Sequence, residues 1–152
     1  MSLQVREMLF ATDFSEAAEQ AGRTAADLAR HFGARLHVLH VVGPGRDPEP
    51  APAGLRHAVE TLGRDLRTLP VTTPGSAARE IVAYATGQAI DLIVIGTHGR
   101  TGVSRVLLGS VAEAVVRRAA CRVLTVPLHL GAAATSVASP EQERCVVCGQ
   151  VS

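Results

Sequence analysis

The residues best suited to chemistry in this chain are Gly96-Thr97-His98-Gly99, nine further residues, and then Gly109-Ser110. Glycines let a backbone approach an oxyanion with no Cβ in the way. A helix opening at Ser110 would point its unpaired N–H groups and the positive end of its dipole at the same place. The Ser110 hydroxyl adds a donor, and Arg100 and Arg105 either add positive charge at the phosphate or are solvated surface residues. His98 lies inside the loop, against phosphate or solvent. The pattern is one for holding phosphate. Neither common phosphate motif fits: the loop has no Gly-x-Gly, and Gly43-Pro44-Gly45 opens no helix. A Walker loop needs a lysine, but all 15 basic residues are arginines. The same absence removes Schiff-base chemistry and a lysine general base.

Other candidates lie elsewhere. Asp13 follows the first apolar run and is either a turn residue or a ligand contact at a strand's carboxyl end. His37 and His40 are read as sharing one face of a strand, a spacing that could bind metal, but no further ligands cluster with them and packed or rim positions are expected. Cys121 reads as a small buried hydrophobe. Cys145-x-x-Cys148-Gly149 has the spacing of a zinc knuckle but supplies only half a site. Zinc there would need ligands from outside the segment, and a reduced tail with no metal is the favoured reading.

The elements that must position these residues follow from periodicity. Met8-Leu9-Phe10-Ala11 is a short buried strand, followed by a turn over Thr12 to Ser15. Ala17, Ala18, Ala21, Ala25, Leu28, Ala29 and Phe32 recur at helical spacing, with Glu16 and Glu19 at the dipole's positive end and Gly33 as the stop. Leu36 to Val42 is a second strand. Pro48, Pro50 and Pro52 mark a loop, and Leu55, Val59, Leu62, Leu66 and Leu69 predict a helix over 55–69. A short strand over 71–73 and a helix capped by Ser76 come next. Asp91 to Gly96 is a near-continuous apolar run, as expected of a central parallel strand. Ser110-Val111-Ala112-Glu113 has the capping-box pattern, so Ser110 serves as helix cap, phosphate donor or both. Val123 to Val126, closed by Pro127, is the last strand. This alternation predicts an α/β fold: a doubly wound open sheet of five mostly parallel strands with helices on both faces. Ligands in such sheets bind beyond the strands' carboxyl ends, at the topological switch point. Residues 1–127 are expected to form the domain, and 128–152 a flexible tail.

The spacing Gly-x2-Gly-x9-Gly-Ser resembles the ATP-binding signature of universal stress proteins. Ala11-Thr12-Asp13-Phe14-Ser15, Leu39-His40-Val41-Val42, Asp91-Leu92-Ile93-Val94-Ile95-Gly96 and Gly109-Ser110-Val111-Ala112-Glu113 support it, and the likeness runs from about Met8 to Pro127. The resemblance implies that Asp13 approaches the ribose hydroxyls, with Ala11 and Thr12 near the base. It implies that Val41 meets adenine. Gly96, Gly99, Gly109, Ser110 and Val111 would hold the phosphates; His98 and Arg100 are loop candidates for the same contact from their position alone. Magnesium or manganese would ride on those phosphates rather than in a protein cage. The resemblance also implies a homodimer through Val123–Val126 and a regulatory role in the stress response. A slow ATPase and a dimeric interaction module that binds no nucleotide are the alternatives. One departure is Arg122, where the family commonly has Pro.

Composition narrows the classes. The net charge is +1, with 14 acidic residues against the arginines, so there is no clustered basic footprint for nucleic acid. Trp is absent and Tyr occurs once, so the core must be aliphatic. No segment approaches the roughly 20 apolar residues of a membrane span. No apolar leader stretch is visible near Met1, and three cysteines fit a reducing compartment. A cytoplasmic location is expected.

Overall fold

The computed structural model describes residues 2–50, 52–97 and 108–128. The elements alternate: β1 (Glu7–Ala11), α1 (Glu16–Phe32), β2 (Arg35–Val42), α2 (Ala53–Leu62), β3 (Thr68–Pro74), α3 (Ala77–Gly87), β4 (Leu92–Gly96), α4 (Ser110–Arg118) and β5 (Arg122–Val126). The strands form one sheet in the order β3-β2-β1-β4-β5, and every pairing is parallel. The order runs outward from β1 in both directions, so the switch point lies between β1 and β4.

Side-chain alternation along the strands divides the core in two. Met8, Phe10, Leu36, Val38 and Val94 pack against α1 and α2. Leu9, Ala11, Leu39, Ile93 and Ile95 face α3 and α4. On the first side α1 lies close because its buried stripe is alanine, with Gly22 where the helix meets Phe10. A Cβ on Gly22 would fall 2.9 Å from the Phe10 ring. The helix begins at Ser15, whose hydroxyl accepts from the Ala18 amide at 3.2 Å. It ends at Gly33, in the left-handed region at φ 64°.

Two boundaries differ from the sequence reading. Helix α2 stops at Leu62, and β3 takes Thr68–Pro74, with Leu69 a 40% exposed strand residue. Gly63, at φ 108°, turns the chain out of the helix. Arg30 of α1 then holds the turn, donating to the Leu62 carbonyl at 2.6 Å and to Asp65 at 2.7 Å. Leu66 still packs on the core, which is why the apolar spacing reads through the break. The N-cap of α4 is Gly109, with Ser110 the first helical residue and no side-chain cap bond. Glu113 pairs forward with Arg117 at 2.7 Å.

The histidines of β2 are also corrected. They are three residues apart and so face opposite sides of the sheet. His37, 3% exposed, holds Glu7 through Nε2 and the Tyr84 hydroxyl through Nδ1, both at 2.7 Å. Desolvation pushes the Glu7 carboxyl up, but the bonds and charges of His37 and Arg35 together leave it below its ordinary value. His40 packs on the other face, against Phe14.

Candidate functional site

At the carboxyl ends of β1 and β4 the sheet opens into a cleft of about 320 Å³. Its floor is the continuation of β1 through Ala11, Thr12 and Asp13, and of β4 through Ile95, Gly96 and Thr97. Leu39 and Val41 of β2 and Ala77 and Ile81 of α3 form apolar walls, and Ala18 of α1 borders the cleft. Gly109 to Ala112 closes the far side with the first turn of α4. The Gly109 amide bonds the Thr97 carbonyl at 2.5 Å, and the Thr97 amide bonds Val126 of β5 at 3.0 Å. Thr97 and Gly109 are thereby held together at the cleft.

The predicted residues Ala11, Thr12, Asp13, Val41, Gly96, Gly109, Ser110 and Val111 all line this cleft. His98, Gly99, Arg100 and the tail cysteines Cys145 and Cys148 lie outside the described residues. The walls from Ala77, Ile81 and Leu39 were not foreseen as site residues. Their signal was core-facing periodicity, and at the end of a sheet the same apolar face continues past the core into the cleft.

The cleft is electrostatically asymmetric. Among the described residues Asp13 is the one ionisable side chain in its lining. The same cleft is lined by the amino-terminal turn of α4, whose amides carry no side-chain cap bond among the described residues. The Ser110 hydroxyl takes no part in a cap, and its residue is exposed at the rim. One side therefore offers donors to an anion, and the other an acceptor to hydroxyl groups.

The turn carrying Asp13 is heavily constrained. The Thr12 amide bonds the Leu39 carbonyl at 2.9 Å, and the Thr12 carbonyl accepts from His40 Nδ1 at 2.9 Å. The Thr12 hydroxyl accepts from the Phe14 amide, and Asp13 Oδ1 from the Ser15 amide, each at 3.0 Å. Phe14 sits at φ 64°, which costs a non-glycine residue about 1–2 kcal/mol. Its ring lies 4.2 Å from that of His40, centroid to centroid. Gly54 of α2 admits that ring: a Cβ there would be 3.0 Å from it.

Gly96 has a different role from Gly109. A Cβ on Gly96 would stand 3.0 Å from the Ala17 carbonyl oxygen, so the missing side chain lets the first turn of α1 pack on β4. Away from the cleft, Cys121 is half-buried between α4 and β5, and burial pushes its thiol up, away from the reactive thiolate. Among the described residues no group of three or more His, Cys, Asp or Glu side chains is placed to hold a metal ion.

An all-parallel β3-β2-β1-β4-β5 sheet with a cleft at the β1/β4 switch point, lined by a carboxylate and a helix amino terminus, is of the doubly wound α/β class. The model of the universal stress protein family matches residues 4–127, and this chain belongs to that family. It is 31% identical over 140 residues to universal stress protein MJ0531 of Methanocaldococcus jannaschii, covering 80% of this chain and 81% of that one. It is 33% identical over 138 residues to a universal stress protein of Thermus aquaticus, covering 80% and 98%. Among solved structures, a universal stress protein in complex with cAMP superposes with a TM-score of 0.67 at 28% identity, over 82% of this chain and 98% of the other. The Archaeoglobus fulgidus protein in complex with dAMP superposes with a TM-score of 0.65 at 25% identity, over 82% and 99%.

Proposed function

We propose that this protein binds ATP in the β1/β4 cleft and uses the bound state as a regulatory signal in stress survival. The observation that carries the reading is that Asp13 and the start of α4 line one cleft at the switch point. A nucleotide needs an acceptor for its ribose at one end and backbone donors for its phosphates at the other. Asp13 takes the ribose, Ala11 and Thr12 lie near the base, and Val41 meets adenine against the apolar wall. Gly96, Gly109, Ser110 and Val111 face the phosphates, with His98, Gly99 and Arg100 completing the loop. Complexes of relatives with cAMP and dAMP support an adenine nucleotide here. The described lining offers one carboxylate and no metal cage, so magnesium or manganese would be held by phosphate oxygens and water. The lining offers Asp13, assigned here to the ribose, as its one ionisable side chain among the described residues, and the chain has no lysine, so any hydrolysis is read as slow. Isothermal titration of the purified chain with ATP and magnesium, after mass spectrometry of any co-purified ligand, tests the reading. Saturable one-to-one binding is expected; no heat and no nucleotide in the released fraction would remove it.

The unit doing this is read as residues 1–127, with 128–152 appended, in the cytoplasm. Pairing of two copies through Val123–Val126 is part of the same proposal. Strand β5 is a sheet edge, and its residues Val123 to Val126 are only half-buried in one chain. Val116 of the neighbouring α4 is 47% exposed. Sedimentation equilibrium should show a dimer at tens of micromolar, where an interface of roughly −6 kcal/mol half-forms. A monomer at that concentration counts against the pairing.

A further inference from the structure

We propose that His40, which does not line the cleft, is a positioning residue that aims Asp13 at the nucleotide by holding the peptide plane between Thr12 and Asp13. The inference rests on the nucleotide reading above. Its basis is covalent geometry. The Thr12 carbonyl and the Asp13 amide belong to one rigid plane. His40 Nδ1 lies 2.9 Å from that carbonyl oxygen, and the other side of Thr12 is pinned by its own amide to Leu39. Both anchors come from β2, so the path of the chain out of β1 is set by the neighbouring strand. A carbonyl only accepts, so Nδ1 carries the proton.

The ring itself is held in place. It stacks on Phe14 at a centroid distance of 4.2 Å and a tilt of 31°. Phe14 is the residue after Asp13, and its left-handed backbone swings the ring back over β2. Gly54 leaves room for that ring from the α2 side. Asp13 is thus bracketed: the peptide before it is bonded to His40, and the side chain after it is stacked on His40. Its own carboxylate is bonded to the Ser15 amide. Rotation of the Thr12–Asp13 plane would move the carboxylate along the floor of the cleft, and His40 resists that rotation from outside the binding surface.

Two nearly isosteric substitutions separate this role from general support. Asn places an amide donor near the position of Nδ1, whereas Gln places it near Nε2, beyond the Thr12 carbonyl. ATP affinity is measured by titration for wild type, His40→Asn, His40→Gln, Asp13→Ala and the double variant Asp13→Ala with His40→Gln, with thermal melts on each. His40→Gln is expected to weaken ATP about tenfold, and His40→Asn to stay within about threefold of wild type. In the double variant the His40→Gln change should add little to the loss from Asp13→Ala, because it acts through that carboxylate. Additive losses, or equal affinities for His40→Asn and His40→Gln, would overturn the proposal even where melting temperatures fall. A tenfold loss in His40→Asn would also overturn it, whether or not His40→Gln folds. If wild type itself fails to bind ATP, the nucleotide reading falls and this inference with it. Binding by wild type with an unaffected His40→Gln sinks the positioning role alone.

Discussion

Gly109→Val is expected to lower ATP affinity by about 100-fold or more while leaving the sheet folded. Gly109 has φ −59° and ψ 152°, an ordinary extended conformation that any L-residue adopts. Its glycine identity is therefore not required by the backbone. What the position does is border the cleft and carry the chain into the first turn of α4. A branched side chain there would stand beside the Ser110 and Val111 amides, the donors that the phosphates need. Losing two charge-assisted bonds of about 1.5–3 kcal/mol each accounts for a loss of that size. The stability cost is that of a poor N-cap, about 1 kcal/mol, or a few degrees in melting temperature. Titration and thermal melts on the same sample check both halves. Unchanged affinity would place the nucleotide elsewhere.

The contrast between Gly109 and Gly96 shows what a spacing pattern conveys. As letters the two glycines are equivalent members of one phosphate signature. In the fold both reach the cleft, and Gly96 also lies under the Ala17 carbonyl, where a Cβ would be 3.0 Å away. That contact is between residues 79 positions apart (96 less 17), and no local pattern encodes it. The same limit explains the other misreadings. The end of α2 depends on Arg30, a residue of another helix, reaching the Leu62 carbonyl. Leu66 and Leu69 keep helical spacing because one still packs on the core and the other falls on an edge strand. Ser110 looks like a cap because Glu113 follows at capping-box distance, yet Gly109 is the N-cap, Ser110 is already helical, and Glu113 turns to Arg117.

What the sequence did disclose rests on strong local physics. The continuous apolar run at 92–96 belongs to the strand between β1 and β5, buried along its middle. Helix α1 is bounded at Gly33 as expected, because a left-handed stop is a property of the residue itself. The parallel sheet follows from alternation, and a cleft at its switch point follows from the parallel sheet. The turn after β1 was legible only as a place. Its internal bonds, and the contribution of His40 from the next strand, depend on a register that the sequence leaves open.

A second large effect is expected at the opposite end of the sheet. Asp91, just before β4, accepts from the Arg6 amide at 2.8 Å and the Glu7 amide at 3.0 Å through one carboxylate oxygen. In return its own amide bonds the Glu7 carbonyl at 2.8 Å. These bonds set the register of β1 against β4, the two strands that flank the cleft at their far ends. The Glu7 amide first, then the Arg6 amide, hold the Asp91 carboxyl below its ordinary range, with a smaller contribution from the charge of Arg122. Arg122 opens β5 opposite Leu92 and so places a cation near the clamp. A carboxyl whose folded pKa is depressed stabilises the fold fully above its unfolded pKa, and the contribution is lost as pH falls through the folded value. Asp91→Asn should therefore cost about 1–3 kcal/mol at pH 7, several degrees in melting temperature. The gap from wild type should start to shrink below about pH 4, the ordinary carboxyl value of the unfolded chain, and close as pH falls through the depressed folded value. Glu7 is depressed as well, so both proteins will lose some stability in acid. The informative quantity is the difference between them, followed by urea denaturation from pH 7 to pH 3. A difference that stays constant over that range would mean that the Asp91 charge does not hold β1 to β4.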